Sequence, residues 1–211
     1  MARITALRMG RGRKERVNVY VEGKFAFSLA AQIVADEGLS VDRELSQAQL
    51  EELSRKNVRE RCLSAAVRFI SYRPRSEFEV RERLVRYGFD NKNIEEAVAR
   101  LREQGLVDDL EFARFWINDR QLFSPRSRWL TGLELKRKGI GQSVIERVLG
   151  EISDEDNAYR AASTRAHRLR GKEYRTFRHR LASYLGQRGF TYQVINNTVE
   201  RLWQEIKDWL G

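Results

Sequence analysis

Three glycine-centred stretches constrain this chain more than any other feature. They read RYGFDNKNIEEAVARL from Arg86, RKGIGQSVIERVL from Arg137 and QRGFTYQVINNTV from Gln187. Aligned on Gly88, Gly139 and Gly189, they lie 51 and 50 residues apart, a period typical of repeat architectures. Four residues before each glycine stands Leu84, Leu135 or Leu185, and one residue after it stands Phe89, Ile140 or Phe190. Ile94, Ile145 and Ile195 follow six residues on, then Val98, Leu149 and Val199, then Leu101, Ile152 and Leu202. Glycine supplies the left-handed residue that ends a helix, and the apolar residue after it folds back onto the preceding leucine. That same residue precedes the next helix, capped in the first case by Asp90, and can staple onto the isoleucine one turn in. Each stretch therefore predicts two helices fastened across a minimal corner by one side chain.

A further helical stretch lies upstream of each corner, at Val58 to Ser71, Leu110 to Leu122 and Asp154 to Leu169. The expected fold is mainly α: three tandem three-helix repeats in an elongated, curved array, since a unit of about 50 residues buries too little alone and must stack on its neighbours. Leu63, Ala66, Val67 and Ile70 form the apolar face of the first stretch until Pro74 ends it. Ser46 and Gln49 read as a capping box that opens the helical region. Before it, Val17, Val19 and Val21, then Phe25, Phe27 and Leu29, alternate as strands, with turn-like GRGRK and EGK between the runs. A small three-stranded antiparallel meander is expected there, covered by the helix-like segment Ala30 to Glu37. The resulting boundaries are 1–45 for the meander and short helix, 46–109 for the first repeat with its lead-in helix, 110–153 for the second, and 154–211 for the third with a C-terminal helix.

The formal charge of +10, from 40 lysines and arginines against 30 acids, favours a polyanionic or acidic partner. No apolar run approaches a membrane span or a secretion signal, so a soluble cytoplasmic protein, expected to be a monomer, is anticipated. Cys62 is the single cysteine and reads as a buried helical thiol. With it, His167 and His179 make no ligand set of zinc spacing, and GRGR at Gly10 lacks the lysine and hydroxyl of a phosphate loop. Neither a metal, a cofactor nor catalysis is expected.

A family resemblance rests on ISYRPRSEFEVRERLVRYGFDNKNIEEAVARLREQGLVDDLEFARFWINDR followed by ELKRKGIGQSVIERVL. Tyr72, Arg73, Arg75, Ser76, Glu77, the GLVDD ending in Asp108 and Asp109, and Phe112 with Ala113 are its most recognisable part. This combination resembles the RecX family, regulators of the bacterial RecA recombinase, over roughly residues 58–203. The third repeat, with no counterpart of GLVDD, departs most. The resemblance implies three tandem three-helix modules and a non-enzymatic modulator, typically an inhibitor, that lodges in the groove of the RecA filament on single-stranded DNA. Such a protein suppresses ATPase, strand exchange and coprotease activities in DNA repair and the SOS response.

The charge is concentrated. Arg160 to Arg188 holds nine basic residues against the single acid Glu173, and Arg120 to Lys138 holds six against Glu134. Candidate contacts to the filament or its DNA are Arg73 and Arg75 around Pro74; Arg120, Arg126, Arg128, Lys136, Arg137 and Lys138; and Arg165, Arg168, Arg170, Lys172, Arg175, Arg178 and Arg180. Tyr174, Phe177 and Trp129 are available for stacking on bases, although Phe177 and Trp129 are each expected in the core. Trp203 and Trp209, with Leu202, Ile206 and Leu210, are expected to seal the last helix. A sequence-tolerant DNA-binding protein or helix-turn-helix transcription regulator is the alternative, because three-helix units with tight turns occur there too.

Overall fold

A computed structural model describes residues 1–10 and 16–208. The N-terminal strands β1 (Ala2–Met9), β2 (Arg16–Val21) and β3 (Lys24–Ala30) form the expected antiparallel meander. Glu22 and Gly23, both with positive φ, turn β2 into β3. A fourth strand, β4 (Glu44–Leu45), extends the sheet to the order β3-β2-β1-β4 by pairing Ala2 with Leu45 and Arg3 with Glu44. Two residues are too few to show an alternation, so this strand reads as polar loop until it is seen beside β1. The register shifts by one between Val19 and Tyr20. A bulge of this kind moves the following side chains to the other face. Phe25, expected to continue the apolar alternation, is accordingly 57% exposed and meets the Tyr20 ring edge-on.

The inner face of the sheet, Ile4, Val19 and Leu29, is covered by Ile33 and Val34 of α1 (Ala31–Asp36) and by Leu50 and Leu53 of α2 (Gln47–Ile70). Ser46 caps α2 in a full capping box with Gln49. The lead-in helix and the first helix of the first repeat are one continuous element. Its buried stripe includes Asn57, which accepts a hydrogen bond from Arg16 Nη2 at 2.9 Å, and Cys62 and Ala66, whereas Val67 is exposed rather than part of the apolar face. Burial first, and the charge of Asp90 second, push the Cys62 thiol up to about 11.

The chain forms two compact units, Met1–Arg73 with Val80–Leu106, and Pro74–Glu79 with the residues from Val107 onward. The first contains the sheet, α1, α2 and α4 (Asn91–Glu103), with most of α3 (Glu77–Arg86). The second contains α5 (Asp109–Phe123), α6 (Arg128–Arg137), α7 (Gln142–Leu149), α8 (Asp154–His167), α9 (Tyr174–Gly186) and α10 (Tyr192–Asp208). Its helices enclose two apolar clusters, one around Phe112, Leu135, Ile145 and Ile152, the other around Phe177, Leu185, Ile195 and Leu202. Trp203 packs on Phe177 and Tyr174, with ring centroids 5.0 and 5.2 Å away; Trp209 and Leu210 lie outside the described residues.

The glycine corners share one backbone geometry. Gly88, Gly139 and Gly189 have φ of 80°, 76° and 82°. In each, the amide of the following residue donates to the leucine carbonyl: Phe89 to Leu84 at 3.3 Å, Ile140 to Leu135 at 3.1 Å, Phe190 to Leu185 at 3.3 Å. Ile94, Ile145 and Ile195 are buried behind them. Gly105 makes a fourth corner of the same kind before α5, with Leu106 donating to Leu101 at 2.9 Å.

Candidate filament and nucleic-acid interface

The basic residues singled out by the sequence divide into two groups once placed. In the second repeat, Glu134 of α6 is nearly buried and accepts from three donors: Trp116 Nε1 at 2.9 Å, Arg120 Nε at 2.7 Å, and Arg126 Nη1. Arg120 lies over the Trp116 ring at 4.4 Å and Lys138 at 4.9 Å. Lys138 Nζ also pairs with Glu79 Oε1 at 2.5 Å. Arg120, Arg126 and Lys138 thus neutralise buried carboxylates and clasp an aromatic ring, which makes them part of the scaffold. Arg128, Lys136 and Arg137 are exposed, the last two in the final turn of α6 where its dipole favours cations. Arg73 and Arg75 flank Pro74 and are half-buried.

In the third repeat Arg165, Arg168, Arg170, Lys172, Arg175, Arg178 and Arg180 are all exposed. Arg165 stacks on Tyr184 at 4.7 Å, and Arg170 Nη2 meets His167 Nδ1 at 2.6 Å. Among the described residues no ion pair engages Arg168, Lys172, Arg175, Arg178 or Arg180. Arg175, Arg178, His179 and Arg180 of α9 border an open groove of about 820 Å³ whose opposite bank is Tyr192 and Asn196 of α10. Among the described residues no carboxylate lines it. Arg178 Nη2 reaches Tyr192 Oη at 3.4 Å and Asn196 Oδ1 at 3.3 Å, which holds the guanidinium across the groove floor. The Asn196 side chain, and then the Arg178 charge, draw the Tyr192 hydroxyl below its usual range. Tyr192 itself is 72% exposed and offers a ring face. Fixed cations, a hydroxyl, an amide and an aromatic face are the groups that follow a phosphodiester backbone and stack on its bases.

Of the candidate stacking residues, Phe177 is fully buried and Tyr174 donates to Glu200 Oε2 at 2.8 Å. Trp129, expected in the core, is instead 65% exposed. It stands against the third corner, its Cε3 at 3.2 Å from where a Cβ on Gly189 would lie, and Ser127 Oγ and Leu130 Cβ crowd the same point at 2.6 and 3.0 Å. Ser127 N donates to Arg188 O at 3.0 Å, and Arg188 Nη1 donates to Ser124 Oγ and Pro125 O, each at 3.1 Å. The segment Pro74–Glu79 treats the second corner alike: Ser76 Oγ donates to Lys138 O at 2.7 Å and Phe78 occupies the space beside Gly139. Both prolines of the chain open a Pro-Arg-Ser run, at 74–76 and 125–127, a signal of this docking that the glycine alignment alone does not display. Tyr192 and Asn196 are likewise functional candidates that charge counting passes over.

Comparison with known proteins covers nearly the whole chain. The RecX N-terminal domain matches residues 2–46, and the first, second and third three-helix domains of RecX match 62–101, 108–149 and 153–199. Regulatory protein RecX of Clostridium botulinum (strain Alaska E43 / Type E3) is 30% identical over 205 residues, covering 95% of this chain and 96% of that one. That of Clostridium beijerinckii is 28% identical over 209 residues, with 96% of each chain covered. A crystal structure of regulatory protein RecX shares the fold with a TM-score of 0.69 at 22% identity, over 95% of this chain and 100% of that one. The crystal structure of RecX from Lactobacillus salivarius gives 0.61 at 22% identity, over 70% of this chain and 97% of that one. With four consecutive domain matches and a relative similar along its full length, the chain belongs to the RecX family of regulatory proteins.

Proposed function

We propose that this protein is a non-enzymatic modulator of the RecA filament on single-stranded DNA, acting as a cytoplasmic monomer that inhibits ATP hydrolysis, strand exchange and coprotease activity. The observation that carries the reading is the α9–α10 groove: arginines without an ion pair and an exposed tyrosine, with no carboxylate among the described lining residues, in a chain of a regulatory family. Arginines that have no acid partner at home are available to phosphates or to acidic side chains of a nucleoprotein surface. Arg128, Lys136 and Arg137 extend the set of exposed cations to the second repeat.

Addition of the protein to RecA on single-stranded DNA tests this directly. Stoichiometric amounts are expected to lower the rate of ATP hydrolysis, and an unaltered rate would contradict the proposal. The cations and the exposed Tyr192 of the groove also support a second reading as a sequence-tolerant DNA-binding protein. Tight binding to DNA without RecA, falling steeply with salt, together with no effect on RecA, would select that reading instead.

A further inference from the structure

The three corners are alike in backbone and unlike in what covers them. A Cβ on Gly139 would strike Phe78, and one on Gly189 would strike Ser127 and Leu130, whereas one on Gly88 would meet nothing within 4 Å among the described residues. Each covered corner receives the start of a serine-capped helix, with a hydrogen bond to the carbonyl just before the glycine: from Ser76 Oγ to Lys138 O, and from Ser127 N to Arg188 O. The corresponding carbonyl, that of Tyr87, receives no hydrogen bond among the described residues.

The side chains at this open corner are the reverse of what a solvent-facing end calls for. Where the second corner has Lys136 and Lys138, and the third Gly186 and Arg188, the first has Val85 and Tyr87. They are 56% and 52% exposed, and Phe89 beside them is only half-buried, in contrast to buried Ile140 and Phe190. Exposed apolar groups clustered at one place mark a contact surface, and a terminal repeat left to solvent would carry polar ones. Arg83, held over the Tyr87 ring at 4.6 Å, stiffens the patch.

We propose that the Gly88 corner is a docking site for the start of a helix in a partner protein, one capped by serine or threonine and bearing an aromatic or leucine side chain within its first turn. The cap reaches the Tyr87 carbonyl, and the apolar side chain lies on bare Gly88 between Val85 and Tyr87. The two filled corners supply the pattern. That the partner is a subunit of the RecA filament rests on the function proposed above.

The test has two arms. A peptide of residues 122–137, the occupant of the third corner, is titrated into the full chain while the amide signals of Tyr87, Gly88 and Phe89 are followed by NMR. Saturable shifts by about 1 mM peptide, lost in Tyr87→Glu, are expected; no shift there would overturn the docking site. In the second arm Val85→Lys and Tyr87→Glu, both at exposed positions, are compared with the unaltered chain for melting midpoint and for inhibition of RecA. Unchanged melting with an increase of about tenfold in the concentration for half-inhibition is expected. Inhibition at the original concentration would overturn the filament as the partner. Should the unaltered chain itself fail to inhibit, the proposed function falls, and the peptide arm still decides the corner.

Discussion

The second and third repeats carry comparable densities of positive charge and use it in opposite ways. Around α5 and α6 the cations converge on acids: Glu134 takes Arg120 and Arg126, Glu79 takes Lys138, and Trp116 is held among them. Along α9 Arg175, Arg178 and Arg180 form no ion pair among the described residues, although Arg178 feels the charge of Glu200 on α10, and they line a groove with Tyr192 and Asn196. A basic run in sequence therefore has two meanings. What separates them is whether an acid on a facing helix comes within ion-pair distance, which is a property of the fold rather than of the run.

Several substitutions would sharpen or break this contrast. A large effect is expected where the two repeats meet. Gly189→Ala combines strain at φ +82° with a Cβ 2.6 Å from Ser127 Oγ and 3.0 Å from Leu130 Cβ. A loss of about 3 kcal/mol in denaturant unfolding is expected, against about 1 kcal/mol for Gly88→Ala, where only the backbone term applies. Equal losses would mean that the third corner is not closed by its neighbour. Next comes Glu134→Ala. Removing the acid leaves two half-buried guanidiniums facing each other, and about 2 to 3 kcal/mol should be lost. RecA inhibition should persist at temperatures where the variant is folded; its disappearance would move the second-repeat cations from scaffold to working surface. The smallest stability effect belongs to α9, where Arg178→Glu should change unfolding by no more than about 0.5 kcal/mol.

How much of this was legible depends on range. The corners could be read because glycine's left-handed conformation, the apolar residue after it and the leucine before it are local and recur three times. Phe89, Ile140 and Phe190 look equivalent in that alignment, yet packing separates them. Phe190→Ala should cost about 3 to 5 kcal/mol, whereas half-buried Phe89→Ala should cost about 1 to 2 kcal/mol, as melting of the two variants would show. The fourth strand is not legible because two residues hold no pattern, and Trp129 reads as core because its support is a corner some sixty residues along the chain. Pairing was the other blind spot. That Glu134 would gather Arg120 and Arg126 while Glu173 gathers none of the α9 arginines follows from helix rotation, which neither charge count nor periodicity fixes.

Under the proposed function the cations of α9, which form no ion pair among the described residues, are the working surface. The variant with Arg175, Arg178 and Arg180 all changed to glutamate tests it most directly, assayed for RecA ATP hydrolysis on single-stranded DNA beside its melting curve. A melting midpoint close to that of the unaltered chain, with inhibition abolished, is the predicted result. Full inhibition by a folded variant would contradict it.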